Sequence, residues 1–282
     1  MSRNRGFTLV EMIATLVLFG LMAATLTVFF RPAFDTWMST RSRSALAAEA
    51  DQAMRRVLRD VQVAVPNSLR TPGTDCIELV PSSAGGRYRM AVDTVNAGSA
   101  AADPATTTSS FDVLTPLHRL PAVGDWVVVD NQNPGDVYSG ANRSAITAVS
   151  TPAATAGRHR LAIAAMQFPL GYDGGRFSVV PDAQQAVFYV CSGASTTLDA
   201  SGNAPGVLYR LQHYGFNAGA PAACPSTAGA AVLATGLRSC RFLFNANQGA
   251  TQQSGFLQVQ LEFTRSGETA SLVFGAHVVN TP

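Results

Sequence analysis

The fold is decided by an apolar run near the start of the chain, Phe7–Phe30, which reads FTLVEMIATLVLFGLMAATLTVFF. At about 1.5 Å per residue, a helix of this length spans roughly 36 Å and crosses a bilayer core of about 30 Å. Arg3 and Arg5 precede the run, and Arg31 follows it. Because basic residues favour the cytoplasmic side of a membrane, the pattern predicts one membrane span with a cytoplasmic N-terminus and an exported remainder.

A cleaved secretory signal peptide is the alternative interpretation of this run. Such peptides have an apolar region of about 7–15 residues that ends at small residues. Ala23 and Ala24 are the candidate small residues here, and both lie inside the run. The run is also longer than such a region, so we favour a retained membrane helix.

A single charge, Glu11, interrupts the apolar run. A carboxylate at this depth costs about 2.5–3.5 kcal/mol on insertion scales, so it marks a functional residue by default. The run contains no cation that could pair with it. We infer that Glu11 finds its partner in a group of another chain, in a chain terminus or in a proton.

The residues around Glu11 resemble a known signal. The stretch Arg5-Gly6-Phe7-Thr8-Leu9-Val10-Glu11, followed by an apolar helix, is similar to the class III signal sequence of type IV pilins and type II secretion pseudopilins. In that family a prepilin peptidase cuts after the glycine, here Gly6, and methylates the new N-terminal residue, here Phe7. The glutamate neutralises the N-terminal amine of a neighbouring subunit during assembly. The resemblance implies that residues 1–6 are a cytoplasmic leader.

The resemblance also implies partners and a location. It implies a structural protein, not an enzyme, that assembles with other major and minor pilins. It implies contact with the prepilin peptidase and with the inner-membrane pilus assembly machinery. The protein would lie in the bacterial inner membrane with its body in the periplasm, and in the pilus after assembly. Two alternatives stay open: a minor pseudopilin of a type II secretion system, and a membrane-anchored adhesive or ligand-binding module.

Residues 31–65 carry ten charged side chains, in contrast to the run before them. Apolar residues between Met54 and Val65 recur at helical spacing, a pattern typical of an amphipathic helix with one buried face. Pro66 ends the pattern. We therefore expect one long helix, membrane-spanning over residues 7–30 and packed on the body in its second half. Three arginines are expected on its solvated face: Arg55, Arg56 and Arg59.

Strand patterns dominate the remaining residues, 66–282. Apolar and polar residues alternate from Leu257 to Phe263, which predicts a half-buried antiparallel strand. We expect it to pair with 272–279 across a turn at Ser266-Gly267, and with 241–244 on its other side. Stretches rich in small residues at 93–110 and 131–158 predict surface loops in an inserted β subdomain at about 93–160. The predicted fold class is α+β, with a long N-terminal helix on an antiparallel sheet. Shorter strands are predicted at 76–80, 87–90, 125–129, 145–149, 186–190 and 207–211.

Short motifs in the body extend the resemblance to minor pilins of the mannose-sensitive haemagglutinin (MSHA) pilus. No mechanism attaches to any one of these motifs, so they bear on the family alone. They are LRDVQVAVPNSLR at 58–70, CIE at 76–78, GGRYR at 85–89, GDWVV at 124–128, NR at 142–143 and HVVNTP at 277–282.

Four cysteines lie in the part of the chain that is predicted to be exported: Cys76, Cys191, Cys224 and Cys240. An even set in an oxidising compartment predicts disulfides, and four cysteines allow three pairings. Among these we favour Cys191–Cys224 with Cys76–Cys240. Zinc is disfavoured because no C-x-x-C spacing occurs.

The sequence gives little support for nucleic-acid binding, catalysis or a bound cofactor or metal ion. The formal net charge of +2 is too close to balance to propose a nucleic-acid partner. No catalytic motif or cofactor fingerprint is present, and His118, His159, His213 and His277 have no ligand or base at a recognisable spacing. Asp130, Asn133 and Asp136 have the oxygen density of a calcium loop but lack a closing Glu, which favours a solvated turn. We therefore expect no cofactor.

Overall fold

A single long helix, α1 (Leu9–Gln62), leads into the body. The computed structural model of the protein describes residues 8–170, 174–248 and 254–280. At 54 residues, α1 is about 81 Å long. Pro32 lies inside the helix, which continues past it. The helix ends at Gln62, close to the predicted stop before Pro66.

The body that follows is built mainly from β-strands. In the described part of the chain the further elements are β1 (Cys76–Leu79), β2 (Ala84–Arg87), β3 (Thr108–Val113), β4 (Trp126–Val129), α2 (Asp136–Ser139), β5 (Arg143–Ser150), β6 (His159–Met166), β7 (Arg176–Val180), β8 (Val187–Ser192), β9 (Gly206–Gln212), β10 (Ala231–Gln248), β11 (Ser254–Arg265) and β12 (Glu268–Val279).

These strands form two six-stranded antiparallel sheets. The first has the order β1-β8-β9-β10-β11-β12, and the second has the order β2-β7-β4-β5-β6-β3. Because β1 pairs directly with β8, the whole second sheet is an insertion between two neighbouring strands of the first. The strand predicted at 145–149 is present as β5, whereas β3 begins within the stretch 93–110 that was predicted as a loop.

The second sheet curls until its two edges meet. A β-bridge joins Tyr88, just after β2, to Val113 at the end of β3. The Leu114 N–H also donates to the Arg87 carbonyl oxygen at 2.8 Å. The curled sheet encloses its own apolar core, which includes Phe111, Val127, Ile146, Leu161 and Val179.

The first sheet carries the second half of α1 on one face. Buried helix residues, among them Met54 and Val57, pack on the alternate residues of β11 that were predicted to face inward. The helix runs alongside β12 in the same direction. Arg43 contacts Glu268 at 2.7 Å near the start of β12, and the Asn67 amide, just after α1, donates to the Asn280 carbonyl at 3.0 Å just after its end. The predicted α+β class, with the helix on an antiparallel sheet, is confirmed.

The β11–β12 hairpin has the predicted turn. Ser266 and Gly267 have φ values of 51° and 77°, both in the left-handed region that a two-residue turn of the I′ type requires. Arg265 therefore pairs with Glu268, and the register continues without a shift to Ser254 and Val279. The predicted pairing of this strand with β10 is also present.

The disulfide pairing differs from the favoured one. Cys76 is bonded to Cys224, and Cys191 to Cys240, with Cα atoms 5.7 and 6.3 Å apart. The reason lies in the register of β1 against β8. Cys76 is opposite Val190, so its side chain lies on the same face as Val190 and on the opposite face from Cys191. Cys191 and Cys240 belong to the core beneath α1, whereas Cys76 and Cys224 lie on the outer face.

Candidate functional site: the N-terminal helix and its attachment

The N-terminal end of α1 carries the acidic residue that the sequence singles out. Gly6 and Phe7 lie outside the described residues, which begin at Thr8. Thr8 is the N-cap, and its hydroxyl oxygen accepts a hydrogen bond from the Glu11 backbone N–H at 3.3 Å. The Glu11 carboxylate accepts in return from the Thr8 backbone N–H at 2.9 Å and from its hydroxyl at 3.0 Å. This reciprocal capping box satisfies backbone donors that a helix end leaves free.

The capping box gives Glu11 a partner within its own chain, which the sequence analysis missed. The Thr8-x-x-Glu11 spacing is the sequence signature of the motif and could have revealed it. One carboxylate oxygen, Oε2, accepts both bonds from Thr8. The side chain is exposed and lies at the positive end of the helix dipole. A cation supplied by another chain can therefore reach this carboxylate.

The first half of α1 makes no packing contact with the body. Every residue from Thr8 to Met38 is exposed, including large apolar side chains such as Phe19 and Phe29. Exposed apolar surface on this scale is covered by lipid or by other protein. In the described part of the chain, α1 is the one helix long and apolar enough to cross a membrane. These properties fit membrane anchoring near the N-terminus.

A group of two aromatic residues and one arginine lies where the apolar half of α1 meets the charged half. The rings of Phe34 and Trp37 meet edge to face with centroids 6.5 Å apart. The Arg41 guanidinium lies 5.5 Å from the Trp37 ring centroid. Trp is enriched at membrane–water interfaces, so this group is placed as expected for the exit of the helix from the bilayer.

A buried ion cluster attaches the last turns of α1 to the first sheet. The Arg210 guanidinium on β9 donates two hydrogen bonds to the Asp60 carboxylate, at 2.9 and 2.7 Å, and the Tyr189 hydroxyl on β8 donates a third at 2.6 Å. Asp60 and Arg210 are each 5% exposed. Burial is the main cause that raises the pKa of the Tyr189 phenol above its ordinary value. The cluster therefore joins helix and sheet through an acid and a base that are both shielded from water.

The helical arginines divide between solvent and this cluster. Arg55 and Arg59 are exposed, as the sequence predicted. Arg55 pairs with Asp51 one turn earlier at 2.6 Å. Arg56 is half-buried, and its Nε lies 3.6 Å from Asp60. Asp60 was not predicted from the sequence as a functional residue.

A second buried ion pair fixes the segment between α1 and β1. The Arg70 Nη2 atom lies 2.5 Å from a Glu78 carboxylate oxygen, and the Tyr214 hydroxyl donates to the other oxygen at 2.8 Å. The Arg70 guanidinium also lies over the Tyr138 ring, 3.4 Å from its centroid. Burial is the dominant cause that raises the pKa of Glu78, against the opposing effects of Tyr214 and Arg70. These contacts hold the chain in place where it leaves the helix.

Two partly exposed ion pairs link the middle of α1 to the β11–β12 hairpin. The Arg265 guanidinium donates to the Glu49 carboxylate at 2.8 and 3.2 Å. Arg43 and Glu268 form the other pair near the turn. Hydrogen bonding from Arg265 is the largest cause that lowers the pKa of Glu49 below 4.5.

We expect the Glu49–Arg265 pair to make a small, acid-sensitive contribution to stability. Because the folded state lowers the pKa of Glu49, the contribution is complete above about pH 4.5 and is lost as the pH falls through the lowered value. Both side chains are more than a third exposed, so Glu49→Gln should lower the free energy of unfolding by less than about 1 kcal/mol at pH 7. Urea unfolding of the full chain in detergent micelles measures this difference.

The control for this prediction is an ion pair between two strands of the first sheet, β10 and β11. Glu262→Gln removes the partner of Arg238, 3.3 Å away, without touching the helix. The Glu49→Gln deficit should shrink as the pH falls through the lowered pKa of Glu49. A deficit that does not fall over the acid range below pH 4.5 would show that ionisation of Glu49 is not its cause.

The calcium candidate from the sequence is an internally hydrogen-bonded turn. One Asp136 carboxylate oxygen accepts from the backbone N–H and the side-chain amide of Asn133, both at 3.0 Å. The Asp130 carboxylate accepts from the Gln132 amide at 3.3 Å. Within the residues that the structure describes, no group of three or more His, Cys, Asp or Glu side chains is placed to hold a metal ion.

The first residues of the chain match a known family model. Residues 1–27 match the prokaryotic N-terminal methylation motif, a range that includes Gly6, Phe7 and Glu11. The searches of curated proteins and of solved structures find no match. The matched motif, the exposed apolar helix with its acidic first turn and the two disulfides of the antiparallel body together support a type IV pilin-like protein.

Proposed function

We propose that the protein is a minor pilin of a type IV pilus of the MSHA type, which helps to initiate or cap the filament. The observation that carries the proposal is the methylation motif on an exposed apolar helix whose first turn holds Glu11. The body motifs favour the MSHA type because they resemble the MSHA pilus biogenesis protein MshO. In this proposal the prepilin peptidase cuts between Gly6 and Phe7 and methylates Phe7.

Assembly in this proposal is helix packing. The apolar half of α1 leaves the membrane and packs against the same half of neighbouring pilins, which covers the surface that is exposed in the single chain. The Glu11 carboxylate then pairs with the Phe7 amine of a neighbour. The body, exported to the periplasm, is carried on the outside of the helical bundle.

The mature N-terminus tests the proposal. Mass spectrometry of the protein purified from its native membranes should find a chain that begins at N-methylated Phe7. In cells that lack the prepilin peptidase, the same protein should begin at Met1. A chain that begins at Met1 in normal cells would refute processing and would favour the membrane-anchored adhesive module.

A minor pseudopilin of type II secretion would share this processing, because the matched motif lies in the common N-terminal helix. Deletion of the gene separates the two machines. Loss of surface pili with normal secretion of exported enzymes supports the pilus proposal. The opposite pattern assigns the protein to secretion.

A further inference from the structure

The strand β12 has a free outer edge. It is the last strand of the first sheet and pairs with β11 over its full length of 12 residues without a register shift. In a two-residue hairpin the pair that flanks the turn, here Arg265 and Glu268, exchanges both backbone hydrogen bonds. Even-numbered residues of β12 therefore bond to β11. The backbone groups of Thr269, Ser271, Val273, Gly275 and His277 point to the outer edge.

The outer edges of β1 and of the second sheet are closed by the chain itself, and the part of β10 beyond the end of β9 lies against the segment before β1, where the Thr74 carbonyl accepts from the Phe242 N–H at 2.7 Å. At β1, the Glu78 backbone exchanges two hydrogen bonds with Arg70, both 2.8 Å. The edges of the second sheet meet each other at the Tyr88–Val113 bridge. β12 stands apart as a long edge that no described strand or loop pairs with.

β12 also lacks the features that protect exposed edges. Proteins discourage unwanted pairing with charges, proline, bulges or very short edge strands. Between Thr269 and Val279 there is no proline and no Asp, Glu, Lys or Arg, and the strand has no bulge. Two large apolar side chains next to this edge are exposed, Val273 by 61% on the outer face and Phe274 by 38% on the helix face. This edge is a ready template for a further strand.

We propose that β12 binds an extended segment of a different protein chain as a seventh strand of the first sheet. The backbone groups of the odd-numbered residues supply the hydrogen bonds, as in other cases of β-strand addition. The bound segment is uncharged in its centre and places one apolar side chain beside Phe274 and another beside Val273.

A second copy of this chain is a poorer occupant, since its β12 could add only by parallel pairing, which is less stable per residue. Because α1 and β12 run in the same direction, antiparallel pairing of β12 with its own copy would reverse the second helix. Two copies that cross one membrane with the same orientation cannot pair in this way. This step rests on the membrane anchoring in the proposed function, whereas the free edge itself does not.

The test uses the full chain in detergent micelles and a defined probe. The probe is a synthetic peptide with the sequence of residues 254–265, the strand that β12 already accepts on its inner side. Residue-resolved hydrogen exchange should show the five odd-numbered amides from 269 to 277 exchanging fast in the free protein and slowly with peptide. The even-numbered amides of β12 should be protected in both states.

A proline variant and a matched control make the test specific. Val273→Pro removes one outward N–H that is not bonded to β11, a position where an edge strand tolerates proline. It should weaken peptide binding at least tenfold. Val273→Thr keeps the N–H and should bind within about threefold of the wild type.

Three results would overturn the proposal. These are no protection of the odd-numbered amides in the folded wild type with peptide, equal binding by Val273→Pro, or protection without peptide that grows with protein concentration. The last result would assign the edge to a second copy. None of these readouts depends on processing or on filaments, so this proposal and the proposed function can fail separately.

Discussion

Replacing Asp60 with alanine is expected to lower the free energy of unfolding by about 3–5 kcal/mol, because the change leaves a buried guanidinium without its counterion. The Arg210 side chain is 5% exposed and donates two of its hydrogen bonds to Asp60. The Tyr189 hydroxyl loses the same acceptor. Urea unfolding of the full chain in detergent micelles, followed by circular dichroism of the sheet, measures the loss.

An exposed ion pair on the same helix supplies the matched control. Asp51→Ala removes the partner of Arg55, whose side chain is 73% exposed, and should lower the free energy of unfolding far less than Asp60→Ala does. A triple variant, Asp60→Leu with Tyr189→Phe and Arg210→Met, removes the buried acid, phenol and guanidinium together and leaves Arg56, whose side chain is 40% exposed, without its partner. Since no fully buried charge then remains unpaired, it should recover most of the lost stability. Equal effects of Asp60→Ala and Asp51→Ala would contradict the role assigned to burial.

The parts of the fold that were predicted correctly depend on short-range patterns. The long helix follows from an apolar run interrupted only by Glu11 and from a helical period that ends before Pro66. The β11–β12 hairpin follows from alternation at Leu257–Phe263 and from a Ser-Gly turn. In each case the residues that determine the structure are close to one another in the sequence.

The parts that were missed depend on contacts between distant residues. Asp60 and Arg210 are 150 residues apart, and their pairing requires the register of β9 against α1. A local signal did exist, because Asp60 lies between Val57 and Val61, which are both buried on the helix face. An acid in that position needs a buried partner, but the helix alone does not show which residue provides it.

The disulfide pairing was missed for a related reason. The choice depends on which face of the sheet each cysteine occupies. That is known only once β1 is paired with β8 across the inserted second sheet. The edge of β12 was likewise invisible in the sequence, since an exposed edge is defined by the strands that do not pair with it.

Glu11 combines a feature that the sequence revealed with one that only the structure shows. Its charge within an apolar run predicts a partner in another chain, a chain terminus or a proton, whereas the capping box gives it a partner in Thr8. Substitutions can distinguish a role in pairing with another chain from a role in capping the helix. Glu11→Gln keeps an acceptor oxygen for the capping box but removes the charge, Glu11→Ala removes both, and Thr8→Val removes the hydroxyl but keeps the charge.

If Glu11 acts by pairing with the Phe7 amine of a neighbour, both Glu11→Gln and Glu11→Ala should reduce incorporation at least tenfold, because each leaves that amine unpaired in apolar surroundings. Immunoblots of sheared filaments and membranes measure incorporation, and mass spectrometry should find normal processing at Phe7. Thr8→Val should assemble within about twofold of the wild type, since losing a cap costs only about 0.5–2 kcal/mol of helix stability. Normal assembly of Glu11→Gln together with failure of Glu11→Ala would assign the role to capping, and normal assembly of both would leave Glu11 without a role in the filament.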